Sequence, residues 1–108
     1  MDTPNIGDLK RQRLRARVKL DQLNAHLQKI RLKFTKKQLF PITDYLKHAE
    51  LIYQYSGELI DIIKTVEEGE SWKGRDAEID RIKFHIIDSF IKFEENVNRI
   101  LIAIKNMV

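Results

Sequence analysis

Apolar residues return along the first third of the chain at heptad distances. Leu9, Ala16, Leu23 and Ile30 follow one another every seven residues, and Leu20, Leu27 and Phe34 repeat that interval with an offset of three or four. Residues spaced in this way share one side of an α-helix. The pattern predicts a first helix over about residues 8–34, with Asp8 as its N-cap because a carboxylate there can accept the free amide hydrogens of the first turn. Arg13 interrupts the seam near its start, so the first turns are expected to be less buried than the rest.

Thr35 and Gln38 have capping-box spacing, and Pro41 suits the first turn of a helix because it has no backbone hydrogen to donate. The second helix is therefore expected over about 41–68. Its stripe is Ile42, Tyr45, Leu46, Ala49, Ile52, Tyr53, Leu59, Ile60, Ile63 and Val66. Ser56-Gly57 sits inside this stripe, and the periodicity continues in phase across it. Either the helix packs closely there or kinks mildly, or it breaks and yields four helices. Gly69 to Arg75 is the clearest loop, bounded by Gly69 and Gly74. A third helix follows over about 76–106, with Asp76 as its N-cap and Glu78 and Asp80 near the positive end of the helix dipole. Its seam is Ile79, Ile82, Ile86, Phe90, Phe93, Val97, Ile100, Ile104 and Met107.

Short connections make successive helices antiparallel neighbours. The predicted fold is all-α: an elongated antiparallel, up-down-up three-helix bundle, with residues 1–108 as a single helical domain, oligomerising through coiled-coil-like seams. A second apolar face supports the oligomer. On the wheel of the first helix, Leu14, Val18, Ala25 and Leu32 form a narrower stripe almost opposite the main seam. Phe84, Ile91 and Ile102 lie off the seam of the third helix, and Leu51, Tyr55 and Ile62 widen that of the second. A helix at the edge of a monomer needs one apolar face only. Aligned extra residues on every helix point to a further contact layer, made by another copy or by a helical protein partner.

Charge changes this picture along the chain. Residues 1–37 hold 11 Lys and Arg against three acidic residues, a net of +8, whereas residues 38–108 hold nine against 13, a net of −4. Lys10, Arg11, Arg13, Arg15, Arg17 and Lys19 are six positive charges within ten residues and are the candidate phosphate contacts, since counterion release would favour nucleic acid along such a run. A basic stretch running into heptads resembles a basic leucine zipper only superficially. No Asn-x-x-Ala-Ala segment precedes the heptads, and Leu9, Leu14 and Val18 interrupt the basic surface. No aromatic residue is interleaved, so base stacking is not expected. The competing reading has these charges pairing with the acidic residues of the other helices.

The remaining chemistry is sparse. There is no cysteine, which excludes disulfides and thiolate zinc sites. His26, His48 and His85 fall on three different helices; Asp44 and His48 share a face at i,i+4 and could supply two metal ligands, but a site needs a third or fourth, and no Glu-x-x-His or His-x-x-x-His occurs. Arg81 and His85 are separated by three residues, whereas the HEPN nuclease motif needs at least four between them, so that activity is not implied. Glu67, Glu68, Glu70, Glu94 and Glu95 cluster in a loop and on an exposed face, where nothing would desolvate one of them for acid–base work. Trp72 is expected to fold over the bundle end. No signal-peptide core or uncharged apolar run of spanning length occurs, and the expected location is the cytoplasm. The sequence calls for no cofactor, metal or small-molecule substrate. It predicts a non-enzymatic helical interaction module, an adaptor, chaperone or regulatory subunit, binding a protein partner or itself; the alternative is a nucleic-acid-binding protein using its basic first helix.

Overall fold

The computed structural model describes residues 5–69 and 76–107. These fold into three α-helices with no strand among them: α1 over Ile6–Ile30, α2 over Lys36–Glu68 and α3 over Asp76–Met107. At about 1.5 Å per residue the 33 residues of α2 alone run to about 50 Å, which accounts for a molecule measuring 56 × 24 × 20 Å. Of the loop expected over Gly69 to Arg75, residues 70–75, with Glu70 and Trp72, lie outside the described residues.

Both ends of α1 differ from expectation. The N-cap is Asn5, whose side-chain oxygen accepts the Asp8 amide at 2.8 Å; Asp8 itself stands inside the first turn, three residues after the cap. The helix stops at Ile30 instead of continuing to Phe34. The Arg31 amide still bonds Leu27, but the Lys33 amide reaches only to the carbonyl of Ile30. This tight turn lets Phe34 pack against the core, while Leu32 is left 95% exposed outside the helix. The first turns are not loosely held either: Leu9 is completely buried.

The start of α2 is a second correction. The Thr35 side chain accepts the Gln38 amide, and Gln38 reaches back to the Thr35 amide at 2.9 Å. That reciprocal box sets the start at Lys36, five residues before Pro41, which lies inside the helix. The earlier start allows Leu39 and Ile42 to enter the core together; the loss is the hydrogen bond that Pro41 cannot donate to Lys37. Across Ser56-Gly57 the helix is unbroken.

All three helices supply the core. Leu9, Leu20, Ile42, Ile63, Ile86, Phe93 and Ile100 are essentially removed from solvent, each contributing roughly 1.5–3 kcal/mol of transfer free energy. The closest helix pair is α2 with α3. Small residues are buried on both of these helices: Ala49 and Ser56 on α2 and Ser89 on α3. Their hydroxyls turn back onto their own helices, Ser56 to the Tyr53 carbonyl at 2.7 Å and Ser89 to that of His85 at 2.8 Å, so neither is left unsatisfied. Lys83 of α3 meets Glu67 of α2 at 3.9 Å, and Arg99 stands 5.7 Å from the Tyr45 ring centre. No described helix is long and apolar enough to cross a membrane.

Candidate interaction surface

The outward side of α1 follows from the depth of its seam. Once Leu9, Ala16, Leu20, Leu23, Leu27 and Ile30 are buried, residues about half a turn away must face solvent. Leu14 is 66% and Val18 55% exposed, and Ala25 is exposed in line with them. Leu32 is exposed but does not continue this stripe, because α1 has already ended.

The six candidate phosphate contacts separate into distinct environments. Arg13 turns inward. Its Cζ stands 3.9 Å from the centre of the Tyr53 ring, and its Nε donates to the Tyr53 carbonyl at 3.3 Å. Arg17 approaches the same ring at 5.7 Å and pairs with Asp21 at 3.4 Å. Arg11 pairs with Asp8 one turn earlier, and Lys19 reaches across to Glu94 of α3. Lys10 and Arg15 are exposed and have no hydrogen-bond, ion-pair or ring partner among the described residues. These exposed pairs are individually weak and leave the charges available for exchange.

The place Arg13 occupies explains the glycine in α2. An ideal Cβ on Gly57 would lie 2.5 Å from Nη2 and 2.6 Å from Cζ of Arg13. The glycine thus leaves room for the guanidinium of a neighbouring side chain and does not mark a turn. Around it a groove of about 520 Å³ opens between α1 and α2, with Leu14 and Lys10 on one bank and Glu58 and Asp61 on the other.

Two further grooves run between α1 and α3, of about 330 and 290 Å³, and share Lys19 and Glu94. In the first, Ala16 and Arg15 face Phe90 and Ile91; in the second, Leu23 and His26 face Val97, Asn98 and Leu101. Both exist because α1 packs less closely on α3 than α2 does. The sequence pattern had marked Phe84, Ile91 and Ile102 of α3, which are exposed, but not Leu101 or the half-buried Ile87. Their signal was present as a second three-and-four spacing through Phe84, Ile87, Ile91, Glu94, Asn98 and Leu101. Phe40, 65% exposed beside Pro41, was likewise unmarked.

The other candidate chemistry does not converge. His48 lies 3.8 Å from Asp44 on one exposed face of α2, while His26 and His85 are exposed on other helices. Among the described residues no three His, Asp or Glu side chains gather where a metal ion could be held. Comparison with protein-family models, with curated proteins and with solved structures finds no match to this chain.

Proposed function

We propose that this chain is a non-enzymatic helical interaction module, an adaptor, chaperone or regulatory subunit, that binds a protein partner or a second copy through apolar helix faces. The observation that carries this reading is the stripe of Leu14, Val18 and Ala25 on α1, a helix whose opposite side is already buried. Beyond Leu14 and Val18, nine other large apolar side chains are substantially exposed among the described residues, eight of them on α2 and α3. Exposed apolar area aligned along helices, not scattered, is the mark of a surface that spends its working life covered.

The arrangement of the bundle in this reading is up-down-up. Residues early in α3 meet residues late in α2, as Lys83 meets Glu67, and residues late in α3 meet residues early in α2, as Arg99 meets Tyr45. The grooves beside Lys19 pair rising numbers in α1 with rising numbers in α3.

Nucleic-acid binding is the weaker reading. Of the six clustered cations, Arg13 is turned onto Tyr53, and Arg11, Arg17 and Lys19 have carboxylate partners. Lys10 and Arg15 alone are unengaged, and a longer phosphate track would have to exchange the exposed ion pairs of the others for phosphate contacts.

The test combines sedimentation over a wide concentration range with cross-linking in cells of its source, comparing the wild-type chain with a Leu14→Asp/Val18→Asp variant. The expected result is self-association or a cross-linked partner that the variant loses. A strict monomer whose cross-linking pattern is the same in both forms sinks the reading. A mobility shift with mixed DNA and RNA that weakens steeply with salt, and that Lys10→Ala/Arg15→Ala abolishes, would replace it with the nucleic-acid reading.

A further inference from the structure

We infer that the α1/α3 face is a self-association surface, closed by the same face of a second copy about a two-fold axis running along the bundle. The inference rests on the up-down-up topology and deepens the interaction reading by committing it to one occupant.

Three observations point there. First, α1 packs less closely on α3 than α2 does, so this side of the bundle is loosely closed. The grooves between α1 and α3 reach down to core residues Phe90, Phe93, Leu23 and Val97, and their rims carry exposed Ile91 and Leu101. Two more helices laid over this opening would complete the layer, as in four-helix packing.

Second, the size is sufficient. The 25 residues of α1 run about 37 Å, and two adjacent helices about 10 Å wide each share a face on the order of 750 Å² over that length. Stable interfaces bury about 800 Å² per partner.

Third, the charges on this face are arranged to meet one another in a second copy. By helical spacing the α1 side carries Arg15 and, ion-paired to Asp8 in the single copy, Arg11, and the α3 side carries Asp88 and Glu95; all four are exposed. The contact of Lys19 with Glu94 puts these residues at one height. Arg15 and Arg11 lie four and eight residues before Lys19, hence level with Phe90 and Ile86, four and eight before Glu94. Asp88 falls between those two heights, and Glu95 falls just beyond Lys19. A two-fold axis along the bundle preserves height and sets α1 of each copy against α3 of the other, so basic residues meet acidic ones. An axis across the bundle would set α1 on α1 and bring like charges together. Asn98, on the same outward seam as Ile91 and Leu101, is the kind of polar interruption that selects one register in paired helices.

The experiment uses the full-length chain in sedimentation equilibrium. One variant reverses the α1 side, Arg11→Glu/Arg15→Glu; a second reverses the α3 side, Asp88→Lys/Glu95→Lys. Circular dichroism checks that each keeps its helix content. The wild type is expected to dimerise, each reversed chain alone to dimerise about tenfold or more weakly, and an equimolar mixture of the two to recover a heterodimer of near wild-type strength. A monomeric wild type overturns the inference, whatever other partner the face then serves. So does a dimer indifferent to both reversals, or a mixture that fails to recover. A dimer that ignores these variants but is lost with Leu51→Asp/Ile62→Asp overturns this inference and leaves the broader interaction reading intact. Failure of that reading is recognised separately, by a strict monomer whose cross-linking pattern is also unchanged in Leu14→Asp/Val18→Asp.

Discussion

Arg13 stands 3.9 Å over the ring of Tyr53, forty residues away in the chain, and donates to the carbonyl of that same residue. One cation thereby ties α1 to α2 by its charge, its hydrogen and the apolar length of its side chain. It occupies the space that a Cβ on Gly57 would need, so the two positions are energetically coupled.

That coupling can be measured. In a helix interior Gly→Ala ordinarily stabilises by about 1 kcal/mol. Here Gly57→Ala displaces the guanidinium, and the gain is expected to shrink or reverse. In an Arg13→Ala background the full gain should return. Urea unfolding of the four chains should give an interaction energy above about 0.5 kcal/mol. Simple additivity would refute the arrangement.

The capping box of α2 should be worth about 1 kcal/mol. Thr35→Ala removes the acceptor for the Gln38 amide and the hydroxyl that bonds Gln38 Oε1, while the bond from the residue-35 backbone amide to that oxygen stays. A lowered urea midpoint with an unchanged slope is the expected outcome.

Pro41 is a stabilisation waiting to be made. It lies inside α2 and leaves the Lys37 carbonyl without its regular donor. Pro41→Ala is expected to raise stability by about 1–3 kcal/mol, read as a higher midpoint in thermal unfolding followed by circular dichroism.

Core and surface apolar residues should separate sharply. Phe93 is almost wholly buried, and Phe93→Ala should cost about 3–5 kcal/mol. Val18→Ala, on the outward stripe, should change the stability of the isolated chain by less than about 0.5 kcal/mol. Denaturant titration at low protein concentration distinguishes them, and also ensures that lost association in surface variants is not unfolding.

The Lys19–Glu94 pair links α1 to α3 but is about half exposed on both sides. Glu94→Gln should therefore cost under about 1 kcal/mol, an effect that fades as salt is added. A larger, salt-independent loss would mean that the pair is far better shielded than its exposure indicates.

Much of the fold was legible because it depends on local pattern. The seam residues of α1 from Leu9 to Ile30 are all buried, and those of α3 from Ile79 to Ile104 are buried apart from the half-buried Ile82. Periodicity failed at ends. Phe34 continued the heptad arithmetic while lying on a turn, since its need to reach the core was met by folding back. Pro41 seemed to mark the start of α2, but the box at Thr35 outweighed one missing hydrogen bond. Of the candidate surface, Leu14 and Val18 were legible from the wheel alone; Leu32 depended on a helix end that lies elsewhere.

The sequence by itself determined that these segments are helices and which face of each turns inward, because 3.6-residue spacing and apolar area act within a single segment. Tertiary structure alone decided that Arg13 is turned onto Tyr53, that Lys19 meets Glu94, and that Lys10 and Arg15 are left unengaged. Such pairings depend on the relative height and rotation of helices far apart in the chain. Packing of whole faces sets those quantities, and identical runs of charge can serve as internal ties or as outward surface depending on the result.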